Sequence, residues 1–269
     1  MLINLHTHTT FSDGKNTPEE IIIYAIENGF SAIGFSDHGY TPYDERYCMK
    51  DTAGYVAEVN RLKEKYKDKI DVYLGVEEDS RHYQNRADFD YIIGSCHYME
   101  KDGKKYPLDS NYDYFSKCIE VFDGDSLALA KSYYEHFCKY ISERKPDVIG
   151  HFDLMTKFDE TKVNRFLDNP KYWEMAEEYV KKALESDCIF EVNTGLMARD
   201  FRSLPCPHER LLKIILESGG KVTITSDAHC KENLSSHFED VKKLLLNIGF
   251  KHYYTLVKGK WEKQELNKS

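Results

Sequence analysis

His6 and His8 stand two residues apart at the end of the apolar run Leu2–Leu5. In an extended chain that spacing turns both imidazoles to one face, as two ligands of a single metal ion require. The pattern recurs. Ser36-Asp37-His38, Gly75-Val76-Glu77, Ser95-Cys96-His97, Ile149-Gly150-His151 and Ser226-Asp227-Ala228-His229 each close a run rich in Val, Ile, Phe or Tyr, so six of the 11 histidines lie where strands stop. With Asp13 from the turn after the first run, the candidate ligands are His6, His8, Asp13, His38, Glu77, His97, His151, Asp227 and His229. These donors exceed the needs of one ion and suit two or three. Imidazole and carboxylate without thiolate suit zinc, manganese or iron, whereas calcium takes oxygen alone.

Other polar residues divide by spacing. Period two turns Asp37 away from His38, where supporting the site or capping a turn fits as well as ligation. Cys96 and Cys230 neighbour His97 and His229 but face away by the same alternation, as small apolar fillers. His82, His136, His208, His237 and His252 have no partner at suitable spacing and read as structural or surface residues. The seven cysteines include no C-x-x-C pair, which argues for reduced thiols and against a disulfide framework or zinc knuckle.

The elements that must position these residues alternate. A first helix has Thr17 as N-cap, Pro18 at its first position and Glu20 closing a capping box, with Gly29 as stop. The strand Ala32–Phe35 follows, then a helix from Gly54 to Lys67, the strand Val72–Val76 and the strand Tyr91–Gly94. Residues 98–145 form the longest connection, read as a lid-like insertion with a polar, Tyr-rich loop and a helix from Leu127 to Glu143. Further strands are expected at Asp147–Gly150, Cys188–Val192 and Val222–Thr225, with helices from Pro170 to Ser186, from Pro207 to Gly219, and from a Ser236/Glu239 capping box to Gly249. His252–Val257 is expected as a closing strand. Strand–helix alternation with short turns and no low-complexity linker predicts one α/β domain over residues 1–269 with a mainly parallel sheet. A closed barrel is favoured over an open sheet, because it brings the C-terminal ends of nearly all strands around one centre, and no Gly-rich phosphate loop follows the first strand.

Composition narrows the function. The 37 basic and 46 acidic residues leave a net charge of -9, which offers no broad basic face for nucleic acid. No apolar stretch approaches a membrane span and the start lacks a secretory pattern, so the expected setting is the cytoplasm and the expected partner a small molecule. Assembly into a homo-oligomer is left open.

The ordered series of motifs resembles the PHP (polymerase and histidinol phosphatase) family over nearly the whole chain. It comprises His6-x-His8 with Phe11-Ser12-Asp13-Gly14, Ser36-Asp37-His38, Ser95-Cys96-His97, Gly150-His151-Phe152-Asp153, Glu191-Val192-Asn193-Thr194 and Ser226-Asp227-Ala228-His229. Ser95-Cys96-His97-Tyr98, Gly150-His151-Phe152-Asp153-Leu154 with Lys157-Phe158 behind, and Lys258-Gly259-Lys260 look most like the monofunctional histidinol-phosphatase branch. The resemblance implies a distorted (β/α)7 TIM-like barrel with three divalent metal ions at the C-terminal strand ends. His6, His8, Glu77 and Asp227 would hold the first, Glu77, His97 and His151 the second, and Asp13, His38 and His229 the third. The chain departs from the family pattern in Phe152, where proline is usual, and in the arginine after the Asn-Thr turn, which has slipped to Arg199.

Three divalent ions against Asp13, Glu77, Asp227 and one hydroxide leave a positive surplus that matches a phosphate monoester dianion. The implied reaction is hydrolysis of L-histidinol phosphate to L-histidinol and phosphate by water activated between two ions. Asp227 and His229 are the candidates to organise leaving-group protonation, with a water of the third ion as an equal alternative. Arg199, backed by Arg202, is the expected phosphate clamp. Glu191 and Asn193 share a strand face, where contact with a cationic part of the substrate and turn support fit equally. Alternative readings are a phosphoesterase of nucleotides or DNA 3′ ends, which net charge disfavours, and a non-catalytic metal-binding module, which the full ligand set disfavours.

Overall fold

The computed structural model describes residues 1–266. In chain order come β1 (Ile3–Asn4), α1 (Pro18–Glu27), β2 (Ala32–Phe35), α2 (Thr52–Tyr66), β3 (Asp71–Asp79), β4 (Tyr91–Ser95), β5 (Tyr98–Lys101), β6 (Lys104–Pro107), α3 (Tyr112–Val121) and α4 (Ser126–Arg144). The second half adds β7 (Val148–Ile149), α5 (Pro170–Leu184), β8 (Ile189–Asn193), α6 (Gly195–Ala198), α7 (Glu209–Glu217), β9 (Lys221–Thr225), α8 (Phe238–Ile248), β10 (His252–Val257) and β11 (Lys260–Glu265). None of the described helices is long and apolar enough to cross a membrane.

Seven strands form one sheet in the order β1-β2-β3-β4-β7-β8-β9, every neighbouring pair parallel. The two edges meet at their ends. His8 N–H donates to the Ala228 carbonyl at 2.9 Å and Ala228 N–H to the His6 carbonyl at 3.1 Å, so the sheet is nearly closed into a TIM-like barrel. Strands buried on both faces explain the unbroken apolar runs of the sequence. The outer faces pack on helices: one core joins β2 and β3 to α1 and α2, and a larger, aromatic one joins β7, β8 and β9 to α4, α5, α7 and α8.

The barrel interior is a third cluster, drawn from five strands and no helix: Ile3, Leu5, Ala32, Tyr73, Tyr91, Ile93 and Val148, closed by Leu256. Tyr91 fills its centre, its hydroxyl donating to the Leu5 carbonyl at 2.5 Å with the Phe35 carbonyl at 3.1 Å. A ring there requires room on the adjacent strands, and Gly34 and Gly75 supply it.

The capping box at Thr17 and Glu20 forms as the sequence predicts. Four features differ. Residues 98–145 contain the β5–β6 hairpin and α3 besides the expected helix, because Asp102 (φ 53°) and Gly103 (φ 73°) make the tight turn that an Asp-Gly pair favours. β10 pairs antiparallel with β11 around Lys258 (φ 49°) and Gly259 (φ 75°) and does not extend the barrel sheet. α7 starts at Glu209, after a cis Cys206-Pro207 bond, with the His208 ring accepting from Arg210 N–H. α8 has no capping box: His237 is its N-cap, and Ser236 lies in the preceding turn with its carbonyl held by Thr194 Oγ1 at 2.7 Å.

Gly75→Ala tests the packed interior. The new methyl would meet Tyr91 ring carbons at 2.3 to 2.7 Å. The expected outcome is a loss of about 1–3 kcal/mol, read as a lower urea midpoint at unchanged slope.

Candidate metal centre

Asp13, His38, Glu77, His97, His151, Asp227 and His229 line one cavity of about 420 Å³, in the range of small-molecule sites, and His6 and His8 are fully buried behind them against Glu77 and Asp227. Glu77 is the hub. The Oε2 atom lies 3.3 Å from His6 Nε2, 3.6 Å from His8 Nε2 and 2.8 Å from His38 Nδ1, and Oε1 lies 3.0 Å from His151 Nε2 and 3.3 Å from His97 Nε2. Asp227 Oδ1 joins the first side, 3.1 Å from His8 Nε2 and 3.7 Å from His6 Nε2. Asp13 faces His229 Nε2 at 3.3 Å and His38 Nε2 at 3.8 Å.

The structure therefore brings all nine expected donors together, with two adjustments in how they group. Among the described residues, the compact groups able to hold an ion are His6, His8 and Glu77; His38, Glu77 and His97; and His8, Asp13, His38 and His229. His38 thus stands between the second and third positions, and His8 between the first and third. The donors fit a metal on their own chemistry: His6 Nε2, His8 Nδ1, Glu77 Oε2, His97 Nδ1 and His151 Nδ1 are buried without a hydrogen-bond partner among the described residues. Orphaned polar atoms are costly in a core, and His6 Nε2 facing Glu77 Oε2 at 3.3 Å, with His8 Nδ1 facing Asp13 at 3.8 Å, leaves lone pairs that suit a Lewis acid.

Charge state follows from the neighbours. Burial alone would raise the Glu77 carboxyl, but His6, His38, His97 and His151 outweigh it and hold it well below the usual carboxylate range. Burial together with His229 and His38 pushes His8 down to about 3, which leaves a neutral ring with a lone pair to give. Burial would likewise lower His6, yet Glu191, Glu77 and Asp227 prevail and raise it.

Supporting side chains fix the donors. Glu191 is fully buried, accepts from Thr225 Oγ1 at 2.6 Å and from His151 N–H at 2.7 Å, and meets His6 Nδ1 at 2.5 Å. That contact occupies Nδ1 and leaves Nε2 for a metal. Glu191 and Asn193 are thus not at the cavity surface as cationic-group receptors. Period two does put them on one face, but that face points at His6, and Asn193 accepts from Gly195 N–H at 2.8 Å while donating to Glu191. Asp37 caps the loop that carries Asp13, accepting from Thr9 N–H at 2.8 Å and Ser12 Oγ at 2.6 Å.

Arg199 lies on the cavity wall, donating to Asp227 Oδ2 at 2.9 Å, with Nη1 3.3 Å from His229 Nδ1. Arg202 does not back it. After α6 the chain reverses through Asp200 (φ 58°), and Arg202 is buried against Glu160 and Thr156 instead. Sequence reasoning left unassigned the ammonium of Lys157, which faces the cavity and is almost wholly buried. It also missed Ser95, whose Oγ donates to Glu77 Oε1 at 2.6 Å, and Asp79, which accepts from His97 N–H at 3.0 Å. The signal existed, since each lies two residues from a ligand on the same strand face.

Fold and site together define a barrel metalloenzyme with its donors at the C-terminal strand ends. Residues 4–195 match the family described as PHP domain, and the chain belongs to that family. A Schizosaccharomyces pombe protein designated a probable histidinol-phosphatase is 26% identical over 286 aligned residues, covering 96% of this chain and 90% of that one. The Lactococcus lactis subsp. lactis histidinol-phosphatase is 24% identical over 275, covering 98% and 97%. A solved Lactococcus lactis structure, described as histidinol phosphate phosphatase complexed with zinc, L-histidinol and phosphate, superposes with a TM-score of 0.73 at 21% identity, covering 97% of this chain and 99% of that one.

Glu191→Gln keeps the size of the side chain and removes the charge behind His6. The expected result is a metal affinity about 10- to 100-fold weaker in chelator competition, with the far-ultraviolet circular dichroism unchanged.

Proposed function

We propose that this protein is a metal-dependent phosphomonoesterase that hydrolyses L-histidinol phosphate to L-histidinol and phosphate, with the whole chain acting as one catalytic unit in cytoplasmic histidine biosynthesis. The observation that carries the reading is the convergence of imidazole and carboxylate donors on one cavity whose wall also holds Arg199 and Lys157. Histidinol-phosphatase relatives that align over nearly the full chain support the choice of ester.

His6, His8, Glu77 and Asp227 would hold one divalent ion, Glu77, His97 and His151 a second, and Asp13, His38 and His229 a third, with zinc, manganese and iron all compatible with the donor set. When bound, such ions lower the pKa of water to about 7 and neutralise phosphate oxygens. The chain supplies the rest. Glu77 and its supporting Ser95 hold the imidazoles in register. Arg199 and Lys157 bring two fixed positive charges to the phosphoryl oxygens, where charge accumulates as the ester bond breaks. The guanidinium also tethers Asp227 and His229, the pair placed to organise protonation of the departing alkoxide, with a water as the equal alternative source of the proton.

Turnover of L-histidinol phosphate, an aryl phosphate and a nucleoside monophosphate by one metal-loaded preparation tests the reading. L-Histidinol phosphate should be preferred, and equal rates overturn the assignment. His97→Ala should lower turnover by about 100-fold or more with little change in fold.

Stripping metal with a chelator should lower the midpoint of thermal unfolding. Saturation at about 100 times Kd contributes roughly 2.7 kcal/mol. The expected shift is therefore about 5–10 °C, reversed on adding divalent ions.

A further inference from the structure

Arg199 and Lys157, two cations of the cavity wall, belong to different segments. Arg199 ends α6, whereas Lys157 follows the single helical turn Leu154–Thr156 after β7. Their charges oppose one another. Burial pushes the Lys157 ammonium down and Arg199 adds to the effect, while Asp109, paired with Nζ at 3.6 Å, works against both. Two like charges keep a set spacing only if the segments that carry them are tied together.

The tie is made by consecutive residues on each side. The Phe201 ring lies against Lys157, with Nζ 5.0 Å from the ring centroid, and meets Phe158 edge-on at 5.6 Å. Next to it, Arg202 donates from Nη1 to Thr156 Oγ1 and from Nε to Glu160 Oε1 at 3.0 Å. Glu160 Oε2 takes the Ser203 N–H at 2.7 Å, and Thr156 Oγ1 donates to the Asp153 carbonyl at 2.8 Å. The guanidinium therefore grips the turn immediately before Lys157. A second tie, His208 N–H to Asp153 Oδ2 at 2.9 Å, lies earlier in the turn.

Stability does not account for an arginine at this place. Its side chain is fully buried with Nη2 unpartnered among the described residues, and replacing a buried ion pair by apolar groups of similar volume is often neutral or stabilising. Glu160, by contrast, is 30% exposed and keeps Ser203 and solvent as partners if the guanidinium is removed. Resting on the reading of the substrate given above, we propose that Arg202 is a positioning residue for phosphate binding. It staples the turn of Lys157 to the chain after α6, fixes the ammonium relative to Arg199, and touches neither substrate nor metal.

A double-mutant cycle on the binding of inorganic phosphate to the metal-loaded protein, followed by titration calorimetry, tests this. Lys157→Met should weaken binding about 10- to 100-fold, the worth of one charged hydrogen bond. Arg202→Met should weaken it about 5- to 20-fold at unchanged metal content. In the double variant the two losses should not multiply. Binding should match that of Lys157→Met within about 2-fold, because Arg202 acts through that residue alone. Losses that multiply overturn the proposal, as does an Arg202→Met protein that binds phosphate like the wild type. Loss of metal from Arg202→Met overturns it too, since that marks a general structural role. If Arg202→Met does not yield folded protein, Glu160→Gln at the exposed end of the staple is carried through the same cycle. Multiplying losses in an enzyme that still turns over L-histidinol phosphate overturn the role of Arg202 and leave the substrate reading intact. A metal-loaded wild type that neither binds phosphate nor turns over that ester ends the substrate reading, and the proposal with it.

Discussion

One buried carboxylate sets the terms for the rest of the molecule. Glu77 lies on β3 in the middle of the sheet, almost without exposure, and cannot be left uncompensated at that depth. Five imidazoles surround its two oxygens, and they come from β1, β2, β4 and β7, on both sides of β3. Only a sheet curled far enough to bring β1 near β7 can supply them. Closure of the barrel and neutralisation of Glu77 are therefore one requirement. The bonds between His6, His8 and Ala228 that join the sheet's edges also fix the backbone of two donors.

Around that hub lies a shell of buried acids that bind no metal in our reading. Glu191 holds His6, Asp79 holds His97, and Asp37 holds the loop of Asp13, each saturated by backbone N–H groups and hydroxyls. A buried negative charge is tolerable when its lone pairs are filled, and a filled carboxylate is stiff. This is how the ligand geometry resists the mutual repulsion of crowded donors. On the far side of β3, Glu78 accepts two hydrogen bonds from Arg144 at 2.8 Å and one from Tyr140 at 2.7 Å. The insertion helix α4 is thereby anchored to the strand that carries the hub.

Much of this was legible because the signals are periodic. Donors at the ends of apolar runs, the Thr17 capping box and the alternation of strands with helices rest on spacing alone, and spacing survives in a sequence. What was not legible depends on contact across the fold. Glu191 and Asn193 share a face, as period two requires, yet periodicity cannot say whether that face meets solvent or His6. Arg202 follows Arg199 closely, but a left-handed residue between them sends the two guanidiniums to different places. The β5–β6 hairpin is the exception: Asp102-Gly103 announces it locally, and the surrounding polarity of the segment obscured the signal.

The barrel and the loops divide the chemistry between them. Strand ends supply donors whose positions are fixed by the sheet, so the phosphate half of the cavity is set by the fold. The outer wall comes from residues 44–47 before α2, the β5–β6 hairpin with the loop after it, residues 154–157 after β7 and Phe201 after α6, none of which is a donor. Net charge illustrates the separation. A chain at -9 would repel a phosphate dianion at long range, but that field is screened within about 10 Å in salt, whereas Arg199 and Lys157 act at contact, where water is excluded and charges are felt most strongly. Selection of the ester is thus a short-range matter, decided by the groups that line the outer wall.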